Sequence, residues 1–202
     1  MTTTGPGPFS TADAPVPADD DNRRSPLRNS IEWVVIIAAA LVMAVVIKTL
    51  LLQAFYIPSE SMLPTLKVSD RVLVNKLSYH LHDVHRGDIV VFKRPPEEQT
   101  GPTEIKDLIK RVIGLPNDTI TLDNGRVLVN GHVLNEPYLP VNTQTLPETV
   151  PLPIHLGPNM YLVLGDNRTN SRDGRTFGPI NRSLIVGRAF IRIWPITNLG
   201  LL

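Results

Sequence analysis

Two serines occupy a short segment bracketed by prolines. Ser59 and Ser61 lie between Pro58 and Pro64. Proline fixes φ and removes a backbone donor, so this segment is predicted to form a rigid turn instead of a helix. Such a turn could present a nucleophilic hydroxyl and a free backbone N–H to a substrate. It could equally be a plain turn rich in small residues, and the segment alone leaves both interpretations open.

A lysine further along the chain could supply the base that a serine nucleophile needs. Lysine can act as a base when burial lowers the pKa of its amine. Lys110 is followed by Arg111 in a run with strand character, residues 107–116. Neighbours in a strand face opposite ways, so one of the two could enter an apolar cleft while the other meets solvent or a carboxylate. Alternatively, both are exposed cations that protect an edge strand from aggregation.

A polar loop is a third candidate for a functional site. Residues 165–175 read GDNRTNSRDGR and follow the apolar residues 161–164. Loops carried by a rigid scaffold often hold functional side chains. The same composition also fits an ordinary solvated turn.

Several kinds of chemistry are excluded or unsupported. The chain lacks G-x-S-x-G, H-E-x-x-H, P-loop and dinucleotide-binding motifs. It contains no cysteine, which excludes disulfides, thiolate nucleophiles and iron–sulfur clusters. A net charge of +1 gives no support for nucleic-acid binding.

Three histidines, His80, His82 and His85, form the one cluster with metal-ligand character. In a strand, positions 80 and 82 would share a face. No acidic or thiol ligand clearly completes the set, so a polar loop between two strands is the favoured interpretation. The sequence therefore predicts neither a metal nor a cofactor.

The N-terminal part of the chain combines a polar tail with a long apolar segment. Residues 1–30 are proline-rich and poor in large apolar side chains, so they are predicted to be a disordered tail. Residues 33–52 are apolar apart from Lys48 and Thr49, and as a helix they would span about 30 Å, the thickness of a bilayer core. We therefore predict a transmembrane helix over residues 31–54.

Two other interpretations of the apolar segment are less favoured. A buried core helix would show a polar stripe, which is missing. A cleaved secretory signal has a shorter apolar region and a small-x-small site after it, and no clear site follows here. Because Arg23, Arg24 and Arg28 precede the segment, the N-terminus is expected in the cytoplasm and residues 55–202 outside.

The remaining residues predict a mainly β fold. Alternating or continuous β-branched runs indicate strands at 71–76, 88–93, 119–122, 126–129, 132–134, 160–164 and 184–193. Asn124-Gly125 and Asn130-Gly131 are typical of hairpin turns. Residues 140–158 contain five prolines and are predicted to form a long surface connection.

Four motifs in order, after an apolar anchor, give the chain a resemblance to the bacterial type I signal peptidases. They are P-S-E-S-M-x-P-T-L (58–66), R-G-D-I-V-V-F (86–92), I-K-R-V-I-G-L-P-x-D (109–118) and G-D-N-R-x-x-S-R-D-x-R (165–175). The resemblance covers nearly the whole chain beyond the tail. It implies a single transmembrane helix followed by a catalytic domain built of an antiparallel β-sheet or a barrel-like arrangement.

The resemblance also implies roles for individual residues. Ser61 matches the nucleophile and Lys110 the general base. Ser59 matches the hydroxyl that completes an oxyanion hole with the Ser61 N–H, and Ser171 matches the serine that orients the lysine amine. The other matches are charged residues that shape the site, expected as ion pairs, and apolar residues that line the substrate pockets: Asp166, Arg111, Asp173 and Arg175, and Phe55, Ile57 and Ile109. One departure is Gly174, where many relatives have serine.

The implied activity is removal of N-terminal signal peptides from exported preproteins, after Ala-x-Ala and similar small residues, at the membrane surface. The expected partners are signal peptides of preproteins, the lipid bilayer and, as a candidate, the secretion translocon. One alternative is an inactive, membrane-tethered module that binds exported proteins. Another is a self-cleaving serine–lysine protease of the repressor type, which has no need of a membrane segment.

Overall fold

A computed structural model describes residues 1–2, 26–46, 51–98 and 105–202 of the chain. By its internal contacts the chain divides into two compact units, Met1–Val42 and Met43–Leu202. Most of the expected disordered tail and Lys48 lie outside the described residues.

The first element, α1 (Pro26–Val46), is a helix of 21 residues. It begins before residue 31, where the tail was predicted to end, because the fixed φ of proline suits the first turn of a helix. Its large apolar side chains from Ile31 to Val46 are all exposed, by 40 to 66%. Among the residues that the structure describes, no helix is both long and apolar enough to cross a membrane.

The second unit is mainly β, as predicted. The described residues contain β1 (Leu52–Tyr56), β2 (Arg71–Asn75), α2 (Ser78–Leu81), β3 (Ile89–Lys93), β4 (Asp107–Gly114), β5 (Thr119–Asp123), β6 (Arg126–Val129), β7 (His132–Val133), β8 (Ile154–His155), β9 (Met160–Leu164), α3 (Gly174–Phe177), β10 (Ile180–Asn181), β11 (Ile185–Trp194) and β12 (Gly200–Leu201). The predicted strands are all present, whereas β1, β8, β10 and β12 were not predicted.

The strands form two antiparallel sheets. The larger sheet has the order β1-β2-β11-β3-β4-β9-β10, with β12 added beside β11, and the smaller has the order β7-β6-β5-β8. Strand β4 therefore lies inside the larger sheet, between β3 and β9. The interpretation of Lys110 and Arg111 as edge-strand cations is wrong.

Strand β1 corrects the predicted end of the apolar helix. Residues 52–54 belong to β1, where Leu52 pairs with Asn75 and Phe55 with Val72. Pairing with β2 satisfies the backbone donors and acceptors that a helix would otherwise satisfy internally. The predicted helical boundary at residue 54 is therefore wrong.

The two predicted hairpin turns are confirmed in the smaller sheet. Asn124 and Gly125 have φ of 48° and 74°, and Asn130 and Gly131 have φ of 52° and 79°. Asparagine and glycine tolerate this left-handed region, which the two-residue hairpin turn requires at both positions. Between these turns β6 pairs with β5 on one side and with β7 on the other.

Three buried clusters hold the second unit together. One lies beneath the Ser61 turn (residues 58–66) and includes Ile57, Met62 and Leu66 with side chains of β2, β3 and β11. A second packs side chains of β3, β4 and β9 against Phe177 and Ile180. The third joins β4 and β9 to the smaller sheet. The elements that carry the candidate site are thus packed on buried apolar clusters.

Candidate active site

The Ser61 turn is held in place by buried side chains and by hydrogen bonds within its own backbone. Met62 and Leu66 are fully buried, and Ser61 is 8% exposed. The Leu66 N–H donates to the Met62 carbonyl at 2.8 Å and the Leu63 N–H donates to the Glu60 carbonyl at 3.0 Å. The prediction of an ordered turn is borne out in this backbone.

Lys110 lies beside Ser61, although the two are 49 positions apart in the sequence. The Lys110 Nζ is 2.7 Å from the Ser61 Oγ and donates to the Ile109 carbonyl at 3.1 Å. Lys110 is only 4% exposed. Of the two orientations left open by the sequence, the structure has the buried one.

Burial lowers the pKa of the Lys110 amine to about 8, because an ammonium loses hydration in the interior. The charges of Asp173, Glu98 and Asp166 oppose this effect and raise the pKa. With a pKa of about 8, roughly a tenth of the molecules carry a neutral amine at pH 7 and about half do at pH 8. A neutral amine can accept the proton of a hydroxyl at hydrogen-bond distance.

Arg111 points the other way and holds the polar loop. Its Nε donates to Asp166 Oδ1 at 2.8 Å, and its Nη2 donates to Asp166 Oδ2 at 2.7 Å. Both side chains are buried. The Thr65 hydroxyl donates to the same carboxylate at 2.5 Å, which links the pair to the Ser61 turn. This two-bonded pair fixes the 165–175 loop against β4.

The end of β9 explains how the loop reaches the site. Leu164, the last residue of β9, pairs with Arg111 on β4, so the loop begins directly beside the lysine and arginine. The Asn167 N–H then donates to the Ser61 carbonyl at 3.1 Å, and the Asn167 amide donates to the Glu60 carbonyl at 3.2 Å. The loop and the turn are therefore joined by one backbone hydrogen bond and one hydrogen bond from the Asn167 side chain.

Asp173 and Arg175 form a second buried ion pair. The Arg175 Nε donates to Asp173 Oδ1 at 2.9 Å, and the Arg175 Nη2 donates to Asp173 Oδ2 at 2.8 Å. Asp173 Oδ2 also accepts from the Gly165 N–H at 3.0 Å. The ion pairs expected from the sequence are thus present, and each fixes one end of the loop.

Ser171 lies in the site without the hydrogen bond expected for it. Its Oγ is buried and has no hydrogen-bond partner among the described residues, while Lys110 donates to Ser61 and Ile109. A Cβ placed on Gly165 would lie 2.1 Å from the Ser171 Oγ and 2.5 Å from the Ser61 carbonyl oxygen. Ser171 and Ser61 therefore approach each other across a glycine that has no room for a side chain.

Two hydrogen-bond donors lie near the Ser61 Oγ, where attack on a carbonyl would develop a negative charge. In the described part of the chain, the Ser61 N–H has no hydrogen-bond acceptor. The Ser59 hydroxyl is 3.3 Å from the Ser61 Oγ. A serine, a neutral amine and two such donors are the groups that nucleophilic attack on a carbonyl requires.

The three apolar residues expected in the substrate pockets share one cluster but differ in exposure. Ile57 is 1% exposed and belongs to the buried core. Phe55 and Ile109 are half-buried and pack against it. Phe55 and Ile109 therefore retain surface that a substrate could contact, whereas Ile57 supports them from beneath.

The sequence reasoning missed a group of residues that support the loop. Arg168 is buried; its Nε donates to the Gly165 carbonyl at 3.1 Å, and its Nη1 donates to Glu136 at 3.2 Å. Tyr138 donates to Glu136 at 2.7 Å, and the Arg111 guanidinium lies 3.9 Å from the centre of the Tyr138 ring. Arg168 stood within the polar loop, but no spacing rule connects that loop to residues 136–138.

The histidine cluster has ordinary polar contacts. His82 makes hydrogen bonds with the Ser78 hydroxyl at 2.9 Å and with the Asp83 carbonyl at 3.0 Å. Its ring centre lies 5.9 Å from that of His85. The side chain of His80 is outside the described part of the structure. Within the described residues, no three histidine or acidic side chains are grouped to hold a metal ion.

Comparisons with a family model and with related sequences agree on one family. The family model described as signal peptidase, peptidase S26, matches residues 30–194. Signal peptidase I of Leptolyngbya laminosa is 44% identical over 95% of each chain. Probable signal peptidase I-2 of Synechocystis is 43% identical over 81% of this chain and 72% of its own. A crystal structure of a signal peptidase I from Enterococcus faecalis, 30% identical, covers 53% of this chain and 97% of its own, with a TM-score of 0.42.

Proposed function

This chain belongs to the signal peptidase family, peptidase S26, and is a serine peptidase of the signal peptidase I type; we propose that Ser61 is its nucleophile and Lys110 its general base. The observation that carries this assignment is the 2.7 Å contact between the Lys110 Nζ and the Ser61 Oγ in a buried environment. The amine has the lowered pKa that a lysine base needs.

The reaction follows from this contact. Neutral Lys110 accepts the Ser61 proton as the Oγ attacks the carbonyl carbon of the scissile peptide bond. The resulting ammonium returns the proton to the leaving amine, which departs with the mature protein. Ser61 then carries the signal peptide as an ester. A water molecule, deprotonated by the same amine, then attacks the ester. The signal peptide leaves as a carboxylic acid, and the Lys110 ammonium returns the proton to the Ser61 oxygen, which restores the hydroxyl and the neutral amine.

The charge that develops during attack falls on the former carbonyl oxygen. The Ser61 N–H is one donor for it, and the Ser59 hydroxyl is the second. Ser59 is exposed and its hydroxyl lies 3.3 Å from the Ser61 Oγ, which supports this role. Donors fixed by the fold before the reaction stabilise the transition state without reorganisation.

The apolar surface beside Ser61 supports a preference for small residues before the cut. Phe55 and Ile109 pack on a cluster that is already filled by Ile57 and Met62. Large side chains would have to displace this packed cluster, at a cost of about 1–3 kcal/mol. We propose that Ala-x-Ala and similar signal peptide ends are the substrates.

The membrane anchor is part of the same proposal. The exposed apolar side chains of α1 and the arginines before residue 31 support an N-terminal span with the tail in the cytoplasm. The catalytic domain then lies outside, in contact with the lipid surface and near the secretion translocon. In spheroplasts, added protease should digest the domain and spare the tail; digestion of the tail alone would reverse the proposed orientation.

Cleavage of a purified preprotein tests the function. The detergent-solubilised protein should cut after Ala-x-Ala, and Ser61→Ala should not. Ser183→Ala is the matched control, since Ser183 is exposed and lies outside the site. A non-catalytic binding module is not favoured, because the matched relatives are named as peptidases. Equal cleavage by Ser61→Ala and wild type would remove Ser61 from the mechanism.

A further inference from the structure

A buried glutamate outside all of the sequence motifs contacts the 165–175 loop from the β3–β4 connection. Glu98 is 4% exposed. Its backbone N–H donates to the Pro95 carbonyl at 3.0 Å, which fixes it in a turn. Burial of a carboxylate is unfavourable without a partner, so its position requires an explanation.

Arg172 is the partner of this glutamate. The Arg172 Nε lies 3.3 Å from both carboxylate oxygens, and its Nη2 lies 3.3 Å from Oε2. Arg172 stands between Ser171 and Asp173 in the 165–175 loop, and its side chain is 53% exposed. The pair therefore ties the β3–β4 connection to the loop that contacts the Ser61 turn.

The carboxylates around the lysine differ in how fully they are neutralised. Asp166 and Asp173 are each held by two short hydrogen bonds from a buried guanidinium, from Arg111 and Arg175. Glu98 is held by a half-exposed arginine at longer distances. Glu98 is also one of the three carboxylates whose charge favours the protonated amine of Lys110. Its negative charge is the least compensated of the three.

We propose that Glu98 and Arg172 form an electrostatic pair that controls the charge of Lys110. Both are then positioning residues, and they set the pH at which the cleavage rate rises on the acid side of the pH–rate profile. This inference rests on the proposed role of Lys110 as base. The negative charge of Glu98 stabilises the Lys110 ammonium, so a higher pH is needed to form the neutral amine. Arg172 offsets part of this effect.

The two substitutions should move the pKa of Lys110 in opposite directions. Glu98→Gln removes a negative charge, so the ammonium of Lys110 loses stabilisation and the amine becomes neutral at lower pH. Arg172→Gln leaves the carboxylate without its cation, so the amine becomes neutral at higher pH. We expect the midpoint of the acid limb of kcat/KM to move by roughly half to one unit, down for Glu98→Gln and up for Arg172→Gln.

Glu97 provides a matched control, since it is the preceding glutamate and is exposed. Cleavage of an Ala-x-Ala peptide is measured from pH 5 to 10 for wild type, Glu97→Gln, Glu98→Gln and Arg172→Gln. Well below the midpoint, Glu98→Gln should be about 3- to 10-fold faster than wild type. Its rate at the alkaline plateau should match that of wild type, because Lys110 is neutral there in both proteins, and Glu97→Gln should follow wild type throughout.

Opposite shifts in the two variants support the proposal, because damage to the fold would lower the plateau in both and would not move the midpoints apart. An unchanged midpoint in Glu98→Gln, or shifts of the same sign in both variants, overturns it. If Glu98→Gln does not fold, Arg172→Gln carries the test, since its side chain is half-exposed. Failure of the proposed function is distinguishable, because Lys110→Arg would then still cleave the peptide, whereas the proposed function requires this variant to be inactive.

Discussion

Arg111 donates two hydrogen bonds to Asp166, at 2.8 and 2.7 Å, from the strand position that follows the lysine of the site. Since strand neighbours face opposite ways, one residue can fix the loop while the other faces the serine. On β4, Arg111 thus holds the 165–175 loop in place, and the preceding residue, Lys110, is the proposed base. The ion pair sets the distance between the loop and the Ser61 turn, because Thr65 donates to the same carboxylate.

Breaking this pair should be strongly destabilising. Asp166→Asn leaves Arg111 buried without its counter-charge, and loss of one partner of a buried ion pair costs about 3–5 kcal/mol. Denaturant unfolding of the two proteins measures the difference. The double variant Asp166→Asn, Arg111→Met should recover part of the loss, since it leaves no unpaired buried charge. A loss below about 1 kcal/mol for Asp166→Asn would show that the pair does not support the loop.

Gly165 should tolerate no side chain. A Cβ there would lie 2.1 Å from the Ser171 Oγ and 2.5 Å from the Ser61 carbonyl oxygen, so Gly165→Ala must displace the loop or the turn. We expect cleavage to fall by at least about 100-fold, since small misplacements of reacting groups have effects of this size. Gly157→Ala is the control, because its nearest neighbour would be Met160 at 3.8 Å. Full activity of Gly165→Ala would contradict the close approach of Ser171 and Ser61.

Substitution of Ser59 should lower kcat strongly and change KM little. Loss of one oxyanion donor lowers kcat by about 10²–10³. Ser59→Ala should show this loss with little change in KM, because the carbonyl of bound substrate is not yet charged. Ser59→Thr keeps the hydroxyl and should keep much of the rate. Steady-state kinetics separates the two constants, and a main effect on KM would make Ser59 a structural residue of the turn.

Lys110 should lower the stability of the folded protein below about pH 8. Its pKa is about 8 in the folded protein and 10.5 when unperturbed, so the unfolded chain binds more protons between these values. The unfolding free energy of wild type should therefore rise with pH across this window. Lys110→Met removes the buried charge and should be more stable than wild type by about 1–3 kcal/mol at pH 7.

Denaturant unfolding at several pH values tests this prediction. The advantage of Lys110→Met should shrink between pH 8 and 10.5, where the amine of wild type becomes neutral in the unfolded chain as well. Lys93→Met, at the exposed end of β3, should show no such pH dependence. A constant difference between Lys110→Met and wild type at all pH values would mean that Lys110 is not forced to lose its charge by burial.

The sequence predicted the parts of this molecule that have local signals. Hairpin turns at Asn124 and Asn130 follow from residues that tolerate positive φ, and the strands follow from β-branched runs. The opposed directions of Lys110 and Arg111 follow from strand geometry. The roles assigned to Ser61 and Lys110 came from the resemblance of whole motifs, because neither the proline-bracketed turn nor the strand identified them alone.

Other features depend on contacts that the sequence does not display. Strand β1 begins within the last residues of the apolar segment, and pairing with β2 is what distinguishes it from a longer helix. Short strands such as β8 and β12 pair over two residues, which is too short for a periodic pattern. Glu136, Tyr138 and Glu98 reach the site through tertiary packing, so no spacing within the chain could indicate them.

In the proposed mechanism, Ser61 attacks the peptide bond and Lys110 takes its proton. Cleavage of an Ala-x-Ala preprotein by Lys110→Arg tests it most directly, because the guanidinium keeps the positive charge but does not act as a base near neutral pH. Lys93→Arg, at an exposed position, is the control and should cut at the wild-type rate. We expect no measurable cleavage by folded Lys110→Arg at any pH between 6 and 10. Turnover by Lys110→Arg comparable to that of Lys93→Arg would contradict the account.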